Sequence, residues 1–235
     1  MLNPALDIPA LTAQYRRKMR LQIRDFLTHE AAERIHQCLA QETPWGVTYN
    51  EGDKQVKLSK QDLAAMTAED KSRRMRGAMD RARAEFQFVY HFYPIVQNYL
   101  AGNDPGLLLH SVLEFINTPD VIGFVRALTG VESVVKAEAQ ATLYAPGFFL
   151  TFHNDAKGLN NRRVAYVMSF TKNWNPDWGG LLQFFDDDHN ITDVFVPRFN
   201  ALSLFTVPQY HAVSYVPPFA PIGRYSITGW FLDPE

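Results

Sequence analysis

Cysteine is nearly missing from this sequence of 235 residues, with Cys38 the only one. No intramolecular disulfide can form, and a zinc site built from several thiolates is excluded with it. The neighbours of that residue, Ile35-His36-Gln37-Cys38-Leu39, read as a helix face, where a packed and inert thiol is expected. A cationic excess is missing as well. The 23 Lys and Arg stand against 25 Asp and Glu, a formal charge of −2, which offers no general electrostatic case for nucleic acid. Arg73, Arg74, Arg76, Arg81 and Arg83 alternate with Glu69, Asp70, Asp80 and Glu85, the mixed-sign pattern of a solvated helix face. No apolar run approaches the ~18–20 residues that cross a bilayer. The first residues lack a basic segment followed by an apolar one, so no secretory leader is expected. These absences lead to the expectation of a cytoplasmic protein with no membrane partner and no direct nucleic-acid binding. What is present is ordinary: 46% hydrophobic and 20% charged residues suit a globular chain with a substantial core.

The texture changes near Gly130. Before it, the pattern is mainly helical, with a short strand over 21–26 and another over 47–49. Thr28 is placed to cap a helix through about Gln41, which Pro44-Trp45-Gly46 would end. Thr67-Ala68-Glu69-Asp70 has the form of a capping box and predicts a long helix running towards His91, ended by Pro94. Residues 107–116 form a further helix candidate. Thr118-Pro119 then opens another helix, and Gly130 closes it. After Gly130, short apolar runs over 131–144, 148–152, 164–170, 181–185, 191–196, 201–207, 212–216 and 225–231 are separated by Gly, Pro, Asn and Asp. Short strands at this spacing predict a jelly roll. The expected class is α+β: a double-stranded β-helix (jelly roll) core with N-terminal helices packed on it. Residues 1–235 are expected to form one domain, with 1–130 a mainly helical support and 131–235 the core carrying the site.

Within that core, His153-Asn154-Asp155 puts an imidazole and a carboxylate two residues apart, on the same side of an extended segment. His211 lies far along the chain, but a jelly roll folds distant strands together. Two imidazoles and one carboxylate suit a non-heme Fe(II) centre with open coordination positions. His-x-Asp by itself arises easily by chance. Asp186-Asp187-Asp188-His189 has similar groups but sits between two strand candidates as a polar turn, where a solvated loop is expected. In Arg224-Tyr225-Ser226-Ile227-Thr228-Gly229-Trp230, period two puts Arg224, Ser226, Thr228 and Trp230 on one face. An inward arginine needs an anion beside it, and bidentate guanidinium–carboxylate pairing is strong and selective. An internal Asp or Glu would serve as well as a ligand carboxylate.

Taken together, the segment 143–235 resembles the prolyl-hydroxylase branch of the Fe(II)/2-oxoglutarate-dependent oxygenase superfamily. Tyr144-Ala145-Pro146-Gly147 is similar to the Tyr-x-x-Gly lead-in to the family's His-x-Asp. Lys172-Asn173-Trp174 followed by Gly179-Gly180-Leu181-Leu182 resembles the family's turn and Gly-Gly-x-Leu strand, and the segment from Arg224 to Phe231 its closing strand. The resemblance implies that His153, Asp155 and His211 bind iron and serve catalysis. It implies that Arg224 holds the far carboxylate of 2-oxoglutarate, with Ser226 a helper and Tyr144 a pocket tyrosine. Its cofactors would be Fe(II), 2-oxoglutarate and dioxygen, with ascorbate a candidate reductant. The implied reaction hydroxylates a prolyl residue in a protein or peptide and releases succinate and CO2.

One departure stands out. Related prolyl hydroxylases often carry a cosubstrate-binding tyrosine where this chain has Ser169, and Tyr166 is displaced by an odd number of positions, so it should face the other way. The inserted Pro217-Pro218-Phe219-Ala220-Pro221 is more similar to the branch that includes yeast protein-hydroxylating prolyl oxygenases. Loops over 156–161 and 173–180 are expected to shape the entrance, with Trp174 and Trp178 either stacking on a substrate or packing within a hairpin. Three alternatives stay open: the same chemistry on free proline, another amino acid or a small metabolite; a cupin enzyme using another metal and no 2-oxo acid; and a non-catalytic, cupin-like jelly-roll binding module.

Overall fold

The computed structural model of the protein describes residues 1–156 and 161–234. The expected entrance loop over 156–161 therefore falls largely outside the described residues. Chain order begins with α1 (Ile8–Lys18), β1 (Arg20–Arg24) and α2 (His29–Gln37), which passes into a π-helical turn at Cys38–Glu42. The hairpin β2 (Gly46–Glu51) and β3 (Lys54–Leu58), α3 (Lys60–Ala65) and α4 (Ala68–Arg81) come next. Then follow β4 (Phe88–Tyr93), α5 (Ile95–Ala101), α6 (Leu108–Ile116) and α7 (Pro119–Thr129). The remaining strands are β5 (Lys136–Ala137), β6 (Gln140–Tyr144), β7 (Phe149–His153), β8 (Arg162–Ser169), β9 (Leu182–Phe185), β10 (Ile191–Phe195), β11 (Ala201–Thr206), β12 (His211–Val213) and β13 (Arg224–Leu232).

Local chemistry explains most boundaries. Thr67 caps α4 by accepting from the Asp70 amide, and Pro119 occupies the first turn of α7, which ends on Gly130 at φ 74°. One expectation fails: α4 stops at Arg81 and does not run on towards His91. Phe88-Val89-Tyr90-His91-Phe92-Tyr93 is a strand, because aromatic and β-branched side chains fit a half-buried pleated surface better than a helix. Pro94 then precedes a separate short helix, α5. Residues 1–130 thus supply four strands as well as helices.

The thirteen strands among the described residues form one antiparallel, nearly closed barrel-like sheet, consistent with a jelly roll. The order β1-β11-β8-β13-β6-β4 makes the larger wall, and β7-β12-β9-β10 the smaller. β4 joins them, pairing with β6 through His91–Tyr93 and with β7 through Phe88 and Val89. The larger wall is buried on both faces. Outward, Tyr166, Met168, Leu202, Leu204, Ile227 and Phe231 pack under the helices against Ile35, Val112, Phe124 and Leu128. Inward, Tyr90, Tyr144, Ala165, Phe205 and Trp230 meet Leu182, Phe184 and Val213 of the smaller wall. Cys38 is buried at 1% exposure, and burial raises its thiol pKa, as expected for an inert core residue. Among the described residues no helix is long and apolar enough to cross a membrane.

The wall leaves little room between β13 and the segment joining β5 to β6. A Cβ on Gly229 would lie 1.9 Å from the Glu138 carbonyl oxygen, whereas one on Gly123, exposed within α7, would meet nothing within 4 Å. Gly229→Ala is therefore expected to cost about 1–3 kcal/mol of unfolding free energy. Gly123→Ala should gain up to about 1 kcal/mol through helix propensity. Urea titration of the two variants checks the opposite signs.

Candidate metal and carboxylate site

Two antiparallel neighbours bring the distant histidines together. His153 ends β7, His211 opens β12, and the two are direct cross-strand partners, with ring centroids 4.1 Å apart. Asp155 lies just beyond β7, with Oδ1 3.5 Å from His153 Nε2 and Oδ2 3.8 Å from His211 Nε2. Ligand atoms of the three residues lie within 4.8 Å of one another, a group that could hold a metal ion. Each imidazole is turned the same way. His153 Nδ1 lies 2.9 Å from the Thr151 carbonyl oxygen, and His211 Nδ1 lies 2.8 Å from that of Gln209. Donation from Nδ1 leaves both Nε2 lone pairs facing the carboxylate, the tautomer a metal requires. Asp155 Oδ2 accepts a 2.9 Å hydrogen bond from Trp230 Nε1.

Burial pulls His211 down to about 4, reinforced by the neighbouring His153, so its neutral form prevails near pH 7. Burial alone would raise Asp155. The facing His153 and His211 imidazoles, once protonated in acid, and the Trp230 N–H together outweigh it and hold the group at about 2. The combination of neutral imidazole and ionised carboxylate suits a divalent cation. Phe205 packs 4.8 Å from the His211 ring and Phe86 5.0 Å from the His153 ring, so the ligand plane is walled by aromatics.

The second half of the site lies along the inner face of β13. Arg224, Ser226, Thr228 and Trp230 share that face, as strand parity requires. Arg224 is 3% exposed, and its Nε and Nη1 have no hydrogen-bond partner among the described residues. Burial lowers its pKa to about 10, with only the nearby Tyr144 opposing the shift. The guanidinium sits 5.2 Å from the Tyr144 ring centroid, and Tyr144 in turn packs 5.3 Å from Tyr90. Burial, with the Asp155 charge adding to it, pushes the Tyr90 hydroxyl up to about 12 despite an opposing interaction with Gln140. Asp155, Tyr90, Tyr144 and Arg224 therefore form a continuous path across the barrel interior.

Ser226 is fully buried, and its Oγ lacks a partner among the described residues. The alternative tyrosine is removed from the site. Tyr166 points to the helix-covered face, packs on Phe231 and donates to the Glu138 carbonyl at 2.8 Å. Ser169 faces inward instead, directly across from Ser226. Trp174 and Trp178 pack edge to face at 5.5 Å, and Trp174 Nε1 donates to the Gly179 carbonyl, a hairpin-packing arrangement. Asp186 ties its own turn by accepting from the Asp188 and Asn190 amides, and the Asp186–His189 run gathers no metal-binding group among the described residues.

Tyr90 and Arg162 are neighbours of this site that the sequence did not single out, and Trp230 was placed on the face of Arg224 without a role. Period two from Arg224 reaches Trp230, so that signal was present. Tyr90 was hidden by the expectation of a helix. Arg162 Cζ lies 3.6 Å from the Trp230 ring centroid, a cation–π contact that no local spacing reveals.

Comparison with known proteins agrees with this geometry. Residues 139–232 match the family model described as the 2OG-Fe(II) oxygenase superfamily. The mouse (Mus musculus) prolyl 3-hydroxylase OGFOD1 is 28% identical over 132 residues, 53% of this chain but only 24% of that relative's length. A Pseudomonas putida prolyl-4-hydroxylase superposes with TM-score 0.59 at 19% identity, covering 97% of this chain and 100% of that one. A prolyl hydroxylase from Trichoplax adhaerens, solved with a peptide fragment of the hypoxia inducible factor oxygen degradation domain, gives 0.65 at 17% identity over 96% and 89%. At these identities the superpositions establish the shared fold. The family match spans the segment from β6 through β13, so the conclusion is one of similarity: over residues 139–232 the chain is similar to the 2OG-Fe(II) oxygenase superfamily.

Proposed function

We propose that the protein is an Fe(II)- and 2-oxoglutarate-dependent dioxygenase that hydroxylates a prolyl residue in a protein or peptide. The observation that carries this reading is the pairing of two incomplete sites on one barrel interior. His153, Asp155 and His211 converge their ligand atoms within 4.8 Å, and the buried Arg224 has Nε and Nη1 without a hydrogen-bond partner among the described residues. Fe(II) and a dicarboxylic 2-oxo acid complete both.

In this reading His153, Asp155 and His211 hold the metal through Nε2, a carboxylate oxygen and Nε2. Three protein ligands leave coordination positions open for exogenous groups. Bound there, Fe(II) with 2-oxoglutarate and dioxygen supplies the oxidation of an unactivated C–H bond, with succinate and CO2 released. The chain's own task is orientation and exclusion of water. The Thr151 and Gln209 carbonyls fix the imidazole tautomers, and the Trp230 N–H fixes the carboxylate. Arg224 and Ser226 take the far carboxylate, with Tyr144 closing the pocket beside the guanidinium.

A peptide substrate is favoured by Arg162. It lies over Trp230, and its Nε is buried with no partner among the described residues. A backbone carbonyl entering beside the metal group would satisfy that N–H. The relatives named as prolyl hydroxylases, one of them carrying a peptide in its structure, support the same substrate class.

Two outcomes are expected. Trp230→Phe should weaken divalent-metal affinity roughly 10–100-fold, since it removes the donor that orients Asp155. Metal titration by calorimetry measures this, and an unchanged affinity would remove Trp230 from the site. Arg224→Met should separate stability from function. Replacing an unpaired buried cation with an apolar side chain should stabilise the ligand-free protein by about 1 kcal/mol or more. The same change should lower 2-oxoglutarate affinity on the order of 10²–10³-fold. Thermal unfolding with and without 2-oxoglutarate reads both. For the substrate, proline-containing peptides incubated with the iron-loaded enzyme should gain one oxygen atom with matching succinate release. Gain by free amino acids alone would move the reading to small molecules.

A further inference from the structure

Five of the unpartnered buried polar atoms belong to four neighbouring residues of the barrel's larger wall. They are Arg224 Nε and Nη1, Ser226 Oγ, Thr142 Oγ1 and Ser169 Oγ. Register explains the grouping. On β13, Ser226 pairs with Thr142 of β6 on one side and with Ser169 of β8 on the other. Directly opposed residues share a face, so the three hydroxyls form a row across three strands, two residues below Arg224 and on its side. Thr142 is 2%, Ser169 3% and Ser226 0% exposed. Buried hydroxyls normally find partners, and leaving three together unpaired is costly unless something else supplies acceptors.

We infer that Thr142 and Ser169, which the sequence did not assign to the site, join Ser226 and Arg224 in a clamp for the far carboxylate of the 2-oxo acid. The inference rests on the functional reading above and deepens it. An ionised carboxylate is acceptor-only and offers about four lone-pair sites. Two guanidinium N–H groups and three hydroxyl O–H groups are enough to fill them. Tyr166, on the same strand as Ser169, is committed to Glu138 on the opposite face. Thr142 and Ser169 therefore set selectivity for a dicarboxylic over a monocarboxylic 2-oxo acid.

The test compares wild type with Thr142→Val and Ser169→Ala, near-isosteric changes that delete one hydroxyl each. With the Mn(II)-loaded protein, calorimetry should show 2-oxoglutarate binding weakened about tenfold by each, the loss of one hydrogen bond to a charged group. Binding of 2-oxobutyrate, which lacks the far carboxylate, should be unchanged, and Thr142→Ser should bind like wild type. The melting temperature of the ligand-free protein should not fall, because each hydroxyl removed is unpaired there. Undiminished 2-oxoglutarate affinity, or a lowered ligand-free melting temperature, overturns the inference and makes the hydroxyls structural. Failure of wild type itself to bind 2-oxoglutarate overturns the functional reading as well.

Discussion

Arg224 is carried to the inner face of β13 as a cation, where Nε and Nη1 meet no acceptor among the described residues. Removing a guanidinium from water without a partner is among the more expensive things a fold can do. The arrangement survives because the strand cannot turn it away. Residues at odd spacing, Tyr225, Ile227 and Phe231, are committed to the helix-covered core, so parity sends Arg224, Ser226 and Trp230 into the barrel. A slip of one residue would bury the arginine under the helices and expose the core. The helix layer thus holds the unpaired charge in place, and the stability stored in that layer keeps the barrel interior in a state suited to an anion.

The same logic places the metal group. The larger wall is packed on both faces, and the smaller wall closes over it with β7 and β12 as neighbours. Pairing of those two strands makes His153 and His211 cross-strand partners, so the separation of the histidines along the chain becomes a 4.1 Å ring contact. Asp155 is left beyond the strand end, free to turn inward, and Trp230 arrives from β13 to hold it. One strand therefore serves both halves of the site. Arg224 stands at its start, and Trp230 reaches the carboxylate of the metal group from near its end.

Much of this was legible in period two. His153 with Asp155, and Arg224 with Ser226, are same-side pairs because alternate residues of an extended chain share a side. The rejection of Asp186–His189 rested on its place between strands, and its turn hydrogen bonds bear that out. Strand parity by itself separates Ser169 from Tyr166. What local pattern could not carry was pairing. The row of Thr142, Ser226 and Ser169 exists only because β6, β13 and β8 are neighbours in one register. The β2–β3 hairpin was hidden because Lys54–Leu58 is a mostly exposed strand whose alternation is carried by two half-buried residues alone, Val56 and Leu58. Tyr90 was missed because a good cap at Thr67 invited a helix that ends at Arg81, short of the aromatic alternation beginning at Phe86.

In the proposed function, one barrel interior holds Fe(II) and a 2-oxo acid at adjoining positions. Anaerobic addition of 2-oxoglutarate to the Fe(II)-loaded protein tests it most directly, because chelation of the metal by the 2-oxo acid produces a visible charge-transfer band. Wild type should develop the band, and His153→Ala should show none at any 2-oxoglutarate concentration. A folded, iron-loaded wild type that stays colourless at saturating 2-oxoglutarate would contradict the account.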